Sequence, residues 1–95
     1  MEAIRFDSKI SIPKDILFRE LEGEAVLLNL KTGIYFGLNP LGTRIWHLIR
    51  KFAALKPVFA ALLTEYDVDA SRCKEDLRDL TASLQKSGLI RIGNA

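Results

Sequence analysis

The sequence has few of the residues on which most catalytic and metal sites depend. Its 95 residues include one cysteine and one histidine, which excludes Cys-x-x-Cys motifs, histidine clusters and an internal disulfide. His47 follows Trp46 in a helical pattern and is interpreted as an ordinary surface or half-buried residue. Cys73 lies on an apolar helical stripe without a nearby histidine or basic cluster, so it is interpreted as a small buried hydrophobe. The sequence therefore predicts a protein that is not an enzyme and uses no cofactor and no metal.

Long apolar runs and a charge excess of one sign are also missing. No run approaches the roughly 18–20 apolar residues that cross a bilayer, and the first five residues include an acid and no apolar signal core. The 14 basic residues exceed the 12 acidic ones by two, with no basic block that would favour nucleic acid. With the single cysteine, these absences predict a cytoplasmic protein without a membrane or nucleic-acid partner.

The composition that remains is that of one folded domain. Hydrophobic residues make up 48% and charged residues 27%, the balance of an ordinary globular domain of this length. Residues 1–14 are expected to form an N-terminal arm, because Pro13 and Lys14 would interrupt a strand begun by Ile10 and Ile12. Residues 15–92 are expected to fold as a single domain.

Three strand patterns open this domain, at residues 16–21, 25–30 and 34–38, with glycine-containing turns between them. Reading Lys31, Thr32 and Gly33 as a three-residue loop fixes the second hairpin. That loop pairs Leu30 with Ile34, Leu28 with Phe36 and Val26 with Leu38, all on one face. The opposite face would carry Ala25, Leu27, Asn29, Tyr35 and Gly37. The register of the first hairpin stays open, and either face could hold Phe18.

Three helix patterns follow the strands. Asn39 is a good N-cap and Pro40 suits the first helical position. Apolar residues at helical spacing continue to Phe52, with Trp46 among them. The second helix is predicted over residues 57–66, and the third from Asp69 to Gly88, followed by an extended tail over residues 89–92. The sequence therefore predicts an α+β fold, a three-stranded antiparallel meander followed by three helices.

Several segments carry a family resemblance over about residues 16–90. Residues 23–39 read GEAVLLNLKTGIYFGLN, residues 42–46 read GTRIW and residues 65–69 read EYDVD. Asp76-Leu77 and Gly88-Leu89-Ile90 complete the set, and in this order the segments resemble the PqqD family. Residues 52–57 depart from the family, whose members usually carry a polar or glycine-containing turn followed by Thr-Val.

The resemblance implies a winged helix-turn-helix fold and a peptide ligand. Members of this family are recognition elements for ribosomally made, post-translationally modified peptides. They bind the leader part of a precursor peptide and present it to a second partner. That partner is a leader peptidase, as in lasso-peptide pathways, or a radical or other modifying enzyme, as in PQQ biosynthesis. The peptide groove lies between the third strand and the third helix. The implied peptide-binding residues are Ile34, Tyr35, Phe36 and Gly37 on the strand and Arg72, Cys73, Asp76, Leu77 and Leu80 on the helix.

The third strand pattern supports a peptide ligand independently of the family. A three-stranded meander has two open edges. The first strand is guarded by Pro13 and Lys14 and carries Arg19 and Glu20, whereas residues 34–38 contain neither charge nor proline. We therefore expect the third strand to accept an added strand.

Two other functions remain open from the sequence. The winged helix is a common DNA-binding fold. Residues 69–79, however, carry three basic and four acidic side chains, a net charge of −1, whereas phosphate binding needs clustered lysine and arginine. A purely structural subunit of a larger enzyme is the second alternative. The sequence allows either a monomer or a homodimer.

Overall fold

The computed structural model describes residues 7–93. In chain order its elements are β1 (Lys9–Ser11), β2 (Ile16–Leu21), β3 (Glu24–Asn29), β4 (Ile34–Leu38), α1 (Pro40–Phe52), α2 (Leu55–Glu65), α3 (Ala70–Lys86) and β5 (Arg91–Gly93). The strands β2, β3 and β4 form an antiparallel sheet in that order, and three helices follow. This confirms the predicted α+β fold.

The register between β3 and β4 differs from the predicted one by one residue. Asn29 faces Ile34, so the loop between the strands has four residues instead of three. Asn29 is the physical reason, because its side-chain oxygen accepts hydrogen bonds from the N–H groups of Lys31 (3.0 Å) and Thr32 (3.3 Å). Its backbone carbonyl also accepts from the N–H of Gly33 at 2.7 Å. The polar side chain at the end of β3 therefore determines where the turn begins.

The shift exchanges the two faces of β3, since side chains alternate along a strand. Ala25 and Leu27 point into the core, whereas Val26 is 45% exposed. The prediction that Val26, Leu28 and Leu30 share a face with Phe36 and Leu38 is therefore wrong. Phe36 and Leu38 lie on the core face with Ala25 and Leu27.

Strand β1 lies within the predicted N-terminal arm, where no strand was expected. It pairs antiparallel with β5, with Ile10 opposite Ile92, and Ile10 is buried in the core. Its partner lies about 80 residues away in sequence, beyond the reach of any local pattern. Pro13 follows the strand and so leaves it intact. Residues 1–6 of the arm lie outside the described residues.

The helix ends follow the capping residues in the sequence. The Asn39 side chain accepts from the N–H of Gly42 at 2.8 Å and begins α1, and Asp69 caps α3 through the N–H of Arg72 at 3.0 Å. The N–H of Leu89 donates to the carbonyl of Leu84 at 2.9 Å, the bond of a Schellman ending. Helix α2 begins at Leu55, two residues before the predicted start.

The core lies between the helices and one face of the sheet. Trp46 of α1 is 1% exposed and stacks on Phe18 of β2, with ring centroids 6.5 Å apart and an interplanar angle of 11°. Phe18 faces Leu27 across the sheet, which settles the register of the first hairpin. We call the sheet face turned away from the helices the outer face; Leu17, Arg19, Leu21, Glu24, Val26, Leu28, Tyr35 and Gly37 lie on it.

Candidate functional site: an open strand edge beside an apolar groove

Strand β4 ends the three-stranded sheet, and its second edge is unpaired within residues 7–93. Leu30 donates its N–H to the carbonyl of Asp15 at 2.9 Å, on the β2 side. Successive residues of a strand direct their backbone N–H and C=O groups to opposite sides. Because those of Leu30 point toward β2, those of Asn29 point toward β4, and those of its partner Ile34 point back toward β3. The N–H and C=O groups of Tyr35 and Gly37 therefore point away from the sheet, where they are available to another strand.

A groove runs beside this edge, between β4 and α3. It consists of two adjoining pockets, of about 280 Å³ between α1, α2 and α3 and about 310 Å³ between the end of β4 and α3. Both are lined by Leu41, Ile45 and Asp76. The shared residues make the two pockets one continuous depression, which is mainly apolar in the first pocket and of mixed polarity in the second.

The predicted α3 residues line this groove. Arg72, Cys73, Asp76 and Leu77 line the first pocket, and Asp76 and Leu80 the second. Leu77 is only 1% exposed, so it forms the pocket wall as part of the core. Leu80 is half-buried and presents part of its side chain to the groove.

The predicted β4 residues are less uniform. Gly37 lines the second pocket, and Phe36 is half-buried on the core face. Tyr35 is 71% exposed and lies on the outer face, so its side chain does not line the groove. Ile34 lies at the start of the strand and lines neither pocket. The edge therefore offers backbone groups along its length, and groove surface only near its end.

The sequence analysis did not predict several residues that line the groove. Leu41, Tyr66 and Val68 line the first pocket and remain exposed, Leu41 by 43% and Val68 by 47%. Leu41 fits the apolar pattern of α1, and Val68 lies between two aspartates in the α2–α3 linker. Their large apolar side chains beside one groove are the signal of a binding surface, and only the structure shows that they meet.

The charges at the groove are few and mixed in sign. Asp69, Arg72 and Asp76 line the first pocket. Burial raises the pKa of the Cys73 thiol, and the charge of Asp76 raises it further, so Cys73 is held as a neutral thiol. Within residues 7–93 no cluster of three or more potential ligands could hold a metal ion. The site therefore offers apolar surface and backbone hydrogen bonds instead of a nucleophile.

No helix among the described residues is long and apolar enough to span a membrane.

Two solved structures are similar to this chain. The structure of TbiB1 in complex with the TbiA(beta) leader peptide has 36% sequence identity and a TM-score of 0.80, over 88% of this chain and 96% of that one. Lasso peptide synthetase B1 complexed with the leader peptide has 23% identity and a TM-score of 0.77, over 87% and 98%, which shows a shared fold. A comparison with curated proteins finds no match. Residues 24–90 match the family model of coenzyme PQQ synthesis protein D (PqqD), and because this is most of the chain, the protein belongs to the PqqD family.

Proposed function

We propose that this chain binds the leader segment of a ribosomally made precursor peptide by adding it as a strand to β4. The observation that carries the proposal is the outward-directed backbone of Tyr35 and Gly37 beside an apolar groove. TbiB1, which is similar over nearly the whole chain, was solved with a leader peptide bound, and this supports the same class of ligand here.

Backbone pairing and burial of an apolar side chain would both contribute to the affinity for a peptide. Tyr35 and Gly37 offer two N–H and two C=O groups, and a hydrogen bond of this kind contributes about 0.5–1.5 kcal/mol net. An apolar side chain buried in the first pocket contributes about 1.5–3 kcal/mol.

The role that we propose is non-catalytic delivery. The groove offers a neutral thiol and no nucleophile–base pair, so chemistry on the peptide would fall to a second protein, a leader peptidase or a modifying enzyme. The single cysteine is consistent with a cytoplasmic setting. Either a monomer or a homodimer would expose the same edge, provided that its contact lies elsewhere.

DNA binding is less well supported. The charged residues of α3 are Arg72, Lys74, Glu75, Asp76, Arg78, Asp79 and Lys86. Acidic and basic side chains are interleaved in this set, and Asp76 lies in the groove itself. A recognition helix that approaches phosphates needs a basic face.

The test is a titration of the ¹⁵N-labelled chain with the TbiA(beta) leader peptide, followed by amide chemical shifts. We expect residues 34–38 and 69–80 to shift together, and a scrambled peptide of the same composition to leave them unchanged. A DNA duplex added at the same concentration serves as the control for the alternative. Shifts confined to β2 or α2 on binding of the leader would overturn the placement.

A further inference from the structure

Gly37 is a glycine that the fold itself does not require. Its φ lies outside the left-handed region in which Gly23, Gly33 and Gly88 are found. A Cβ built on Gly37 would meet no heavy atom within 4 Å, so no neighbour demands its absence. Because glycine weakens a strand and often marks close approach of a ligand, the open space at Gly37 needs an explanation outside the chain.

That space continues into a shallow hollow across the outer face. The outer-face residues that line the hollow are Arg19, Leu21, Glu24, Val26 and Gly37, and Glu20, Glu22, Ala25, Leu38 and Asn39 complete its lining. Arg19, Val26 and Gly37 form one row across the three strands, and Leu21 and Glu24 form the next. The hollow therefore crosses the sheet and reaches the open edge of β4 at Gly37, on the side opposite the groove.

A strand added to β4 would place alternate side chains on this outer face. Neighbouring strands are about 4.8 Å apart, so Val26 lies roughly 10 Å from the added strand, with only Gly37 between them. A small side chain opposite Gly37 could not span this gap, whereas an aromatic ring could cross the glycine and contact Val26. Arg19 is the next residue in this row, and its guanidinium would favour the face of such a ring.

The geometry points to a second subsite, the hollow beside Gly37 on the outer face, which takes a large aromatic side chain of the bound peptide. This inference rests on the proposed function, since the peptide must first add to β4. The groove and the hollow contact opposite faces of the same peptide strand. The two residues they recognise are therefore an odd number of positions apart in the peptide.

The test uses Gly37→Val, whose side chain would occupy the hollow while the free space around the Cβ preserves the fold. Leu30→Ser is the matched control, because Leu30 is exposed and does not line the hollow. Each protein is first checked by thermal unfolding. Its affinity is then measured by fluorescence anisotropy for the TbiA(beta) leader peptide and for variants in which each residue in turn is replaced by alanine.

We expect that replacing one aromatic residue of the peptide by alanine weakens its binding to the parent protein about tenfold. This corresponds to the loss of some 50 Å² of buried apolar surface. Gly37→Val should bind that alanine variant and the unsubstituted peptide equally, and Leu30→Ser should behave as the parent does. If Gly37→Val discriminates as the parent does, or weakens every peptide alike, the subsite is overturned and strand addition stands. If no peptide binds the parent protein, the proposed function itself fails.

Discussion

The side-chain amide of Asn29 donates a hydrogen bond of 3.1 Å to the backbone carbonyl of Gly88. The bond joins the last residue of β3 to the glycine that closes α3. Because Asn29 also holds the β3–β4 loop through Lys31 and Thr32, one buried side chain fixes both the loop and the C-terminal end of the groove helix.

Replacement of Asn29 separates these two roles. Asn29→Asp keeps the acceptor for the loop but loses the donor to Gly88, and we expect a loss of about 1–3 kcal/mol in the free energy of unfolding at pH 7. Protonation of the introduced carboxyl restores a donor, so the loss should shrink as the pH falls through the pKa of that group. Asn29→Ala should cost more, with no such pH dependence. Urea unfolding from pH 4 to 8 measures both, and an aspartate variant as stable as the parent at pH 7 would contradict the assignment.

Trp46 is expected to be the largest single contributor to the core. Trp46→Ala should cost about 3–5 kcal/mol, enough to unfold most of a domain of this size. The indole N–H has no hydrogen-bond partner within residues 7–93, so Trp46→Phe removes a buried, unpaired donor and should cost much less. Circular dichroism melts check the pair; an alanine variant that melts within a few degrees of the parent would show the core assignment to be wrong.

The direction of the backbone groups on β4 predicts opposite effects for neighbouring prolines. Gly37→Pro removes an outward N–H, so the leader peptide should bind about tenfold more weakly with little change in melting temperature. Phe36→Pro removes an N–H directed at β3 and should destabilise the sheet itself. Melting curves and peptide anisotropy on the two variants provide the comparison. If the two proline variants were equally destabilised, the backbone directions that we derive for β4 from the Leu30–Asp15 hydrogen bond would be contradicted.

Cys73 offers a chemical probe of the groove. Because burial and Asp76 raise the pKa of its thiol, less thiolate is present at a given pH than in a free cysteine. Alkylation by iodoacetamide should therefore be slower than that of glutathione at pH 8, and should accelerate as the pH rises toward the raised pKa. A saturating leader peptide should slow it further. Mass spectrometry of timed samples measures the rates; an alkylation rate unaffected by bound peptide would place the peptide elsewhere.

The parts of the fold that depend on local signals could be predicted from the sequence. Asn39, Asp69 and Gly88 mark helix ends through bonds to residues within five positions, and those helix ends are where they were expected. The β3–β4 register could not be predicted, because it depends on whether Asn29 belongs to the strand or to the loop. The loop bonds of Asn29 to Lys31 and Thr32 set the register, and its bond to Gly88, 59 positions away, adds a contact that no local pattern shows.

The candidate site divides in the same way. The open edge could be predicted from a run of residues without charge or proline. The α3 residues were predicted from the family resemblance. Leu41 and Val68 were missed because each has an ordinary local role, in a helix stripe and in a linker. Their meeting in one groove depends on the packing of α1 against α2 and of α2 against α3, which no spacing in the sequence encodes.

The β1–β5 ribbon has a mechanical consequence. Lys9 lies opposite Gly93 and Ser11 opposite Arg91, so the two strands leave the domain side by side at the same end of the ribbon. Tension applied between the two strands would break the backbone hydrogen bonds of the β1–β5 pair one after another, because the force would act on the outermost bond first. A pull on both ends should therefore separate β5 from β1 first, while the bonds from the Ile10 N–H to the Ala53 carbonyl and from the Leu55 N–H to the Ser8 carbonyl still hold β1 in place.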